Sequence, residues 1–501
     1  MRIFAALLIA FAIGLLTLNS QTLFAKVTPL AHNAPVLVLP PSQPKDFVKP
    51  RAFNDATFND QKVKSEAFLL QNLNTSGIRA GVVIASPNKV SPNYFYHWVR
   101  DAAISFMQVQ NYYLTTATGS RPGLQTWMLS HLSLNLGFQG IANLQAGDGE
   151  PKFNVDGSAF QGPWGRPQTD GPALRAISFM YFLNLVNKEN WPNKAQIAAS
   201  LYDAKLPTHS LIKTDLEYVA NHWNQASFDL WEETYGAHFF TLVVQRRALI
   251  EGSALAKSFG DTGAASFYAT QASQIGQVLQ NFWNSNVNYI VTAVNVQSGP
   301  RKPSLLDTSV ILAALYGDVG DGLYAPYDDR VLATLQALKD TFQKEYQVNQ
   351  NASGVVLGRY PEDTYDGVTT SGIGNPWFIS TQASAEVYYR ASIHLAQVKQ
   401  LQINAINLHF YNSLMKGMMT FTLGQSFVAN SPVIQKVSQQ LFQAGDFQLS
   451  QSILHRGPDG SLSEQINRNT GHMQGATNLT WSHASYLSAL TWRSYISSSF
   501  R

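Results

Sequence analysis

The sequence predicts an all-α domain of about a dozen helices that pair and close on themselves, with long loops on one face. Segments along most of the 501-residue chain place apolar residues at helical spacing, whereas alternating strand patterns are almost absent. The connections are long and rich in glycine, proline, asparagine, aspartate and aromatic residues. Loops of that kind usually carry the binding chemistry of a rigid scaffold.

The chain begins with a segment that reads as an export signal. Arg2 gives a minimal positive start, residues 3–18 form a short apolar run, and cleavage is expected after Ala25. An uncleaved membrane anchor is the alternative. With the signal removed, the protein is expected to be secreted, with a periplasm or another exported compartment as alternatives.

Residues 26–60 are predicted to form an extended segment, because six prolines fall between Val27 and Pro50. Residues 61–501 show no second linker and are predicted to form one domain, which we expect to be monomeric. The chain has no cysteine, and its length allows a large core without disulfides. The formal charge is only +3 and there is no basic run, which argues against nucleic acid as a partner.

Helices are predicted wherever apolar residues recur every three or four positions. A modest strand candidate occurs at 287–291. The predicted helices cover 98–114, 123–143, 171–187, 195–203, 208–223, 236–257, 262–284, 304–316, 328–346, 378–398, 404–417, 432–454 and 476–498.

Motif searches exclude several function classes. The chain contains no HExxH, no phosphate-binding loop, no dinucleotide-binding glycine motif and no G-x-S-x-G elbow. The histidines are scattered, and His238 and His483 are interpreted as packing residues. We therefore expect no cofactor and no metal, and no effect of chelators on catalysis.

One acidic stretch, residues 227–233, brings three carboxylates and a tryptophan together. Taken alone it resembles a helix start, with Asp229 as N-cap and Glu232 three residues later. Five clusters of this composition occur, each at a predicted helix boundary: 94–101, 149–156 with 164–172, 227–233, 358–365 with 374–378, and 460–465 with 479–482.

Clusters of this composition suit a sugar. Aromatic rings stack on the apolar face of a pyranose, while charged side chains bind its hydroxyls. Breaking a glycosidic bond needs one carboxylic acid and one carboxylate on opposite sides of the ring. Each cluster has a plain structural interpretation too: Arg359 with Asp363 as an ion pair, and Trp377 and Trp481 as core residues.

From Tyr94 to Ala484 the chain resembles the glucoamylases of glycoside hydrolase family fifteen, in particular the fungal-type branch. The most specific strings are 149–156, 164–176, 229–233, 358–365 and 463–465. The resemblance implies an (α/α)6 barrel with a pocket. It also implies an inverting, exo-acting hydrolase that releases β-glucose from α-1,4-glucans such as starch, dextrins, glycogen and maltooligosaccharides, more slowly at α-1,6 bonds.

The resemblance also implies roles for individual residues. Glu232 is expected to be the general acid, with a pKa raised by partial burial, and Glu464 the general base, ionised on the opposite face. Arg100 and Asp101 would hold the terminal glucose, and Glu233 the neighbouring sugar. The full set expected to bind substrate is Tyr94, Trp98, Arg100, Asp101, Lys152, Trp164, Asp229, Trp231, Glu233, Arg359, Asp363, Trp377 and Trp481.

Two residues depart from the family pattern beside these positions, His97 and Thr169, and they leave chain-length and linkage preference open. No starch-binding module follows the last predicted helix, so weak binding to starch granules is expected. Sequons occur at Asn74, Asn351 and Asn478. The alternatives are a trehalase or glucodextranase, a phosphorylase on the same barrel, a non-catalytic glucan-binding protein and a helical scaffold.

Overall fold

Helices dominate the computed structural model, which describes residues 55–145, 147–350 and 352–499. The predicted all-α class is confirmed. The predicted signal segment, most of the predicted extended segment and Asn351 lie outside the described residues. The helices, numbered in chain order, are α1 (Asp55–Leu73), α2 (Val99–Thr115), α3 (Arg121–Gly140), α4 (Asp170–Lys188), α5 (Lys194–Leu201), α6 (Leu211–His222), α7 (Phe239–Ser258), α8 (Thr262–Val278), α9 (Ser309–Tyr316), α10 (Asp329–Glu345), α11 (Phe378–Val398), α12 (Leu408–Leu414), α13 (Pro432–Leu454) and α14 (Thr480–Ser499).

Six of these helices form a closed inner ring. Helix α2 packs against α4, α4 against α7, α7 against α9, α9 against α11, and α11 against α14, which returns to α2. An inner helix is covered on all sides and can be apolar all round. Helix α9 shows this, because every residue from Ser309 to Leu315 is buried.

The remaining long helices form an outer layer. Helix α1 packs on α14, α6 on α4, α8 on α7, α10 on α9, α13 on α11, and α3 beside α6. Outer helices are amphipathic: in α10, Val331, Leu335 and Phe342 are buried while Gln343 and Lys344 are exposed. Two layers of six helices make the (α/α)6 barrel that the resemblance implied.

Short antiparallel strands connect the helices at the loop ends. Strands β3, β4 and β7 form a three-stranded sheet, in which Tyr235 pairs with Ser298, and the other strands form pairs. The predicted strand at 287–291 coincides with β6, whereas β4 and β7 have no signal in the sequence. The strands of the described residues are β1 (His97–Trp98), β2 (Lys152–Phe153), β3 (Ser227–Phe228), β4 (Tyr235–His238), β5 (Trp283–Asn284), β6 (Tyr289–Ile290), β7 (Ala293–Ser298), β8 (Leu401–Gln402), β9 (Ser426–Phe427), β10 (Gln465–Ile466) and β11 (Met473–Gln474).

Helix α1 corrects one prediction. The extended segment was expected to reach residue 60, but the helix already begins at Asp55. Its buried face mixes apolar and polar residues, so the apolar pattern is weak. The polar residues of this face form hydrogen bonds with residues near the C-terminal end of the chain. Gln61 Nε2 donates to the Gly460 carbonyl at 2.9 Å, and Asn72 Nδ2 donates to Thr480 Oγ1 at 2.8 Å.

Several predicted helices are shorter than expected. The helix predicted at 262–284 ends at Val278, followed by a 3-10 turn and then by β5. The helices predicted from residues 304 and 476 begin at Ser309 and Thr480. In each case apolar spacing continues into a loop that is itself buried, and spacing alone cannot distinguish the two.

Loops at the starts of the inner helices meet at one end of the barrel. Trp98 precedes α2 and its indole N–H donates to Glu232, in the loop before β4 and α7, at 2.7 Å. Trp231 donates to Asp307, which precedes α9, and its ring meets that of Trp377, which precedes α11, at 5.4 Å. The partial positive charges of these helix ends therefore face a region rich in carboxylates.

Two sequons lie in the described residues and differ in accessibility. Asn74 is exposed just after α1, and its amide donates to the Leu70 carbonyl. In the other sequon Thr480 is fully buried, and its hydroxyl donates to the Ile84 carbonyl at 2.5 Å. Across the described ranges, no helix has both the length and the apolar character needed to cross a membrane.

Candidate active site

The acidic stretch forms a tight turn between β3 and β4. The interpretation of Asp229 as a helix N-cap is wrong, because no helix begins there and α7 starts only at Phe239. Asp229 Oδ1 instead accepts hydrogen bonds from the backbone N–H groups of Glu233, at 2.7 Å, and Thr234, at 2.9 Å. Within this turn Glu232 adopts a φ of 67°, a left-handed conformation that costs free energy for a non-glycine residue.

Four donors surround the Glu232 carboxylate. Oε1 accepts from Trp98 Nε1 at 2.7 Å, from Gln168 Nε2 at 3.1 Å and from Arg100 at 3.3 Å. Oε2 accepts from Trp164 Nε1 at 2.9 Å. Trp164 itself is 37 % exposed. The orientation of this carboxylate is thus fixed by two indole rings and two polar side chains.

Arg100 links three carboxylates at the start of α2. Its guanidinium lies 3.3 Å from Asp101 Oδ2, 3.2 Å from Asp170 Oδ2 and 3.3 Å from Glu232 Oε1. Burial, together with the charges of Glu232 and Asp170, raises the pKa of Asp101 to about 6, while Arg100 opposes the rise. Asp101 is therefore a buried carboxyl poised between its charged and neutral forms.

Glu464 lies just before β10 and is completely buried. Among the described residues neither of its oxygens has a hydrogen-bond partner of good geometry. Burial raises the pKa of Glu464 to about 8, and the nearby hydroxyls of Tyr94 and Tyr365 and the charge of Arg359 oppose the rise. Desolvation therefore favours the neutral form of Glu464, while these neighbours favour the ionised form expected of a general base.

Arg359 organises the opposite wall. It makes a bidentate ion pair with Asp363, at 2.6 and 2.8 Å, and a further contact of 2.7 Å with Glu233. Tyr360 donates its hydroxyl proton to Glu233 Oε2 at 2.6 Å. Asp363 thus holds Arg359, and Arg359 with Tyr360 holds Glu233.

Aromatic rings line the same region. Trp98 packs edge-on against Tyr94 and Trp164, with ring centroids 5.5 and 6.0 Å apart. The guanidinium of Arg100 lies over the ring of Trp481 at 6.0 Å. Trp98 and Trp481 are buried, whereas Trp164 is 37 % exposed. The indoles therefore contribute both to the hydrophobic core and to the wall of the site.

Lys152 lies behind this wall. Its ammonium group is 3.1 Å from the ring centre of Trp164 and 4.4 Å from that of Trp98, and the residue is only 1 % exposed. Burial lowers the pKa of Lys152 to about 8, opposed chiefly by the charge of Glu232. Lys152 therefore supports the rings of Trp164 and Trp98, and its expected contact with a ligand stays a prediction.

Several buried polar atoms at this site make no hydrogen bond of good geometry. In the part of the chain that the structure describes they include Trp377 Nε1, both oxygens of Glu464, and Arg100 Nε and Asp101 Oδ2, which form an ion pair with each other. Buried polar groups in native proteins are normally hydrogen-bonded. A hydroxyl group can both donate and accept a hydrogen bond. The presence of donors and acceptors together in one aromatic-lined region therefore suits a ligand rich in hydroxyl groups.

The site also contains residues that were not singled out from the sequence. Gln168, Tyr360 and Tyr365 lie within the clusters 164–172 and 358–365, and that position in the sequence is the signal that indicates them. Lys302 and Asp307 fall outside all five clusters. Asp307 accepts from Trp231 Nε1 at 2.9 Å, and nothing in the local sequence indicates that contact.

The two departures from the family pattern are buried away from the rings of the pocket. The ring of His97 packs against Phe138, at 5.1 Å, and its Nδ1 accepts from the Val83 N–H. Thr169 is buried, and its backbone N–H donates to Ser227 Oγ. Both residues are thus hydrogen-bonded to neighbouring segments of the chain. The described residues contain no cluster of three or more carboxylates or histidines arranged to hold a metal ion.

Comparisons with known proteins agree with this geometry. The family model for glycosyl hydrolases family 15 matches residues 64–491. Glucoamylase 1 of Rhizopus oryzae is 36% identical over 451 residues, covering 89% of this chain and 72% of that protein. A glucoamylase of Saccharomyces cerevisiae, described as intracellular and sporulation-specific, is 34% identical, covering 86% and 82%. The solved glucoamylase of Saccharomycopsis fibuligera superimposes with a TM-score of 0.79 at 31% identity, covering 92% of this chain and 99% of that one.

Proposed function

The chain belongs to the glycosyl hydrolases of family 15, and we propose that it releases β-D-glucose from the non-reducing ends of α-1,4-glucans by inversion, more slowly at α-1,6 bonds. The observation that carries this proposal is the placement of Glu232 and Glu464 on two loops of one aromatic-lined site. A chain of contacts joins them: Glu232 bonds to Trp98, Trp98 packs on Tyr94, and Tyr94 lies beside Glu464.

In the proposed mechanism Glu232 donates a proton to the glycosidic oxygen as the bond from that oxygen to C1 breaks. Glu464 removes a proton from a water molecule whose oxygen bonds to C1 from the opposite face. A water that donates to Glu464 favours the carboxylate form, because hydrogen bonds to a carboxylate lower its pKa. Inversion requires the two carboxyl groups to stand about 6.5–9.5 Å apart.

The groups around these two carboxylates would hold the sugars. Arg100 and Asp101 would bind the hydroxyls of the terminal glucose, and Glu233, held by Arg359 and Tyr360, would bind the next sugar. The rings of Tyr94, Trp98, Trp164, Trp231 and Trp481 would form the walls. Asp229, Asp363 and Trp377 would support the residues that make contact.

The anomer of the first product tests the mechanism. We expect proton NMR of maltooligosaccharide digests to show β-glucose alone at early times, and early α-glucose would contradict inversion. Glu232→Gln and Glu464→Gln should each lose roughly 10²–10⁴-fold in rate. Near-full activity in either variant would remove that residue from its role.

The main alternative keeps the fold and changes the glucoside. A trehalase or a glucodextranase would cleave trehalose or an α-1,6-glucan and leave maltooligosaccharides intact, so the same digest distinguishes them. A phosphorylase would require phosphate. A non-catalytic binding protein is disfavoured because both carboxylates are present in one site.

We also propose that the protein is exported as a monomer without a membrane anchor. The apolar run at residues 3–18 supports export, while the intracellular relative shows that family membership does not fix location. Fractionation of the native host, with mass spectrometry of the mature N-terminus, tests this proposal. A product that retained residues 1–25 would contradict signal cleavage.

A further inference from the structure

Lys302 lies in the loop that follows β7, and carboxylates enclose its ammonium group. Nζ is 3.2 Å from Asp229 Oδ2, 3.5 Å from Glu233 Oε2 and 3.8 Å from Asp307 Oδ2. It also lies 3.8 Å from the ring centre of Tyr360. The side chain is 5% exposed, so this is a buried charge with three anionic neighbours.

Each of these carboxylates has a second task in the site. Asp229 accepts the two backbone N–H groups that close the turn around Glu232. Asp307 accepts the indole N–H of Trp231, the residue just before Glu232. Glu233 directly follows Glu232 and contacts Arg359. The ammonium group of Lys302 therefore contacts three carboxylates that belong to the turn of Glu232 or are hydrogen-bonded to it.

The charge of Lys302 matches this environment. Burial alone lowers the pKa of its ammonium group, but Asp229, Asp307 and Glu233 raise it above its ordinary value, and the group stays protonated. Without this cation, the buried carboxylates would repel one another. The strained φ of Glu232 persists only while its surroundings hold it.

We propose that Lys302 is a positioning residue that holds the turn of Glu232 and the side chain of Glu233 in their productive places. The inference rests on the proposed role of Glu232 as general acid. Lys302 acts through other residues: through Asp229 on the orientation of the acid, and through Glu233 on the sugar next to the cleaved bond. Its loss should lower kcat through the first effect and raise KM for maltose through the second.

A substrate that needs neither the oriented acid nor the contact of Glu233 with a second sugar distinguishes a loss of positioning from a general loss of structure. Hydrolysis of α-D-glucosyl fluoride breaks a C–F bond, and fluoride leaves as an anion without requiring a proton from the acid. The fluoride also has no second sugar for Glu233 to bind. The ratio of kcat/KM on maltose to kcat/KM on α-D-glucosyl fluoride therefore reports the positioned acid loop.

We expect Lys302→Met to lower this ratio at least tenfold, and Lys302→Arg to keep it within about threefold because the charge remains. A cavity of about 320 Å³ borders Lys302 and Asp229 and gives the larger arginine room. Lys213→Met is the matched control. Lys213 is equally buried and paired with Asp261 and Glu217, but on α6, away from the site.

A second variant covers the case in which Lys302→Met does not fold. Lys302→Met with Asp307→Asn removes one negative charge with the cation, and the asparagine oxygen can still accept from Trp231. The double variant should show the same fall in ratio. An unchanged ratio in either folded variant would overturn the proposal.

Glu232→Gln separates this proposal from the assignment of the acid. If Glu232→Gln loses maltose cleavage but keeps the fluoride reaction, the acid assignment stands, and the Lys302 result is then decisive by itself. If Glu232→Gln loses both reactions equally, the acid assignment fails and the positioning proposal falls with it.

Discussion

A methyl group on Gly475 would lie 2.4 Å from Oε2 of Glu464, closer than a carbon and an oxygen can approach. Gly475 follows β11, whose pairing with β10 brings the two residues together, and it has a φ of +73°. Glycine is therefore needed at this position both for its backbone conformation and for the space it leaves beside the carboxylate.

We expect Gly475→Ala to reduce kcat about 10²-fold, because the carboxylate must move by the order of an ångström to make room. Gly471→Ala is the control: it has a similar φ of +77° in the same hairpin, but its methyl group would meet the ring of His455. Initial rates on maltose and thermal unfolding of both variants check this. Equal losses of activity in the two variants would show that backbone strain, not the carboxylate, is responsible.

Glu464→Gln should make the fold more stable in alkaline solution. The folded-state pKa of Glu464 is raised from 4.5 to about 8, so its contribution to stability is fully present below pH 4.5 and is lost as the pH rises through 8. Because glutamine does not titrate, the variant should gain up to a few kcal/mol over the parent between pH 5 and pH 9. Denaturant unfolding at both pH values measures the gain, and a constant difference would contradict the shift.

His483 should limit stability in acid. Its ring is fully buried between α14 and α1, stacked on Phe68, and burial lowers its pKa to about 3. The unfolded chain therefore binds the extra proton, and stability is lost as the pH falls below about 6.5. His483→Gln should weaken this pH dependence by a few kcal/mol between pH 7 and pH 3.5 in denaturant unfolding. A pH dependence as steep in His483→Gln as in the parent would contradict the lowered pKa.

Asn72→Ala should destabilise the barrel without affecting the site directly. The amide of Asn72 donates to the Asn478 carbonyl and to Thr480 Oγ1, and its removal leaves a buried acceptor unpaired. We expect a cost of about 1–3 kcal/mol in free energy of unfolding, with kcat unchanged at a temperature where the variant is folded. Substitution of Asn74, which is exposed just after the same helix, should cost less than half as much.

Apolar spacing predicted the barrel helices well. A helix that packs against a neighbour buries a residue at every third or fourth position, and the sequence shows apolar residues at that same spacing. Apolar spacing missed α1, whose polar residues Gln61 and Asn72 satisfy partners about 400 positions away. The local sequence around Asp229 also fits a helix cap, since an aspartate that accepts backbone N–H groups has the same local sequence in a cap and in a turn. Such choices depend on partners that lie far along the chain.

The sequence indicated which residues belong to the candidate site, but it did not indicate their burial or their charge states. The five clusters supplied the candidate residues, and the resemblance to the family assigned roles to Glu232, Glu464 and their aromatic neighbours. The complete burial of Glu464 and the three carboxylates around Lys302 depend on how separate loops fold over one another. The charge state of a buried group depends on all the residues that surround it, and no local sequence pattern specifies those residues.

The ring of inner helices closes where α14 meets α1 and α2. During synthesis the loop that carries Glu232 leaves the ribosome more than two hundred residues before the loop that carries Glu464. Helix α14, the last helix of the inner ring, leaves later still. Contacts such as Gln61 with Gly460, separated by 399 positions, must wait for the last tenth of the chain. A nascent chain therefore carries Glu232 in an open ring, and the proposed pair of Glu232 and Glu464 is complete only when the last helix closes that ring.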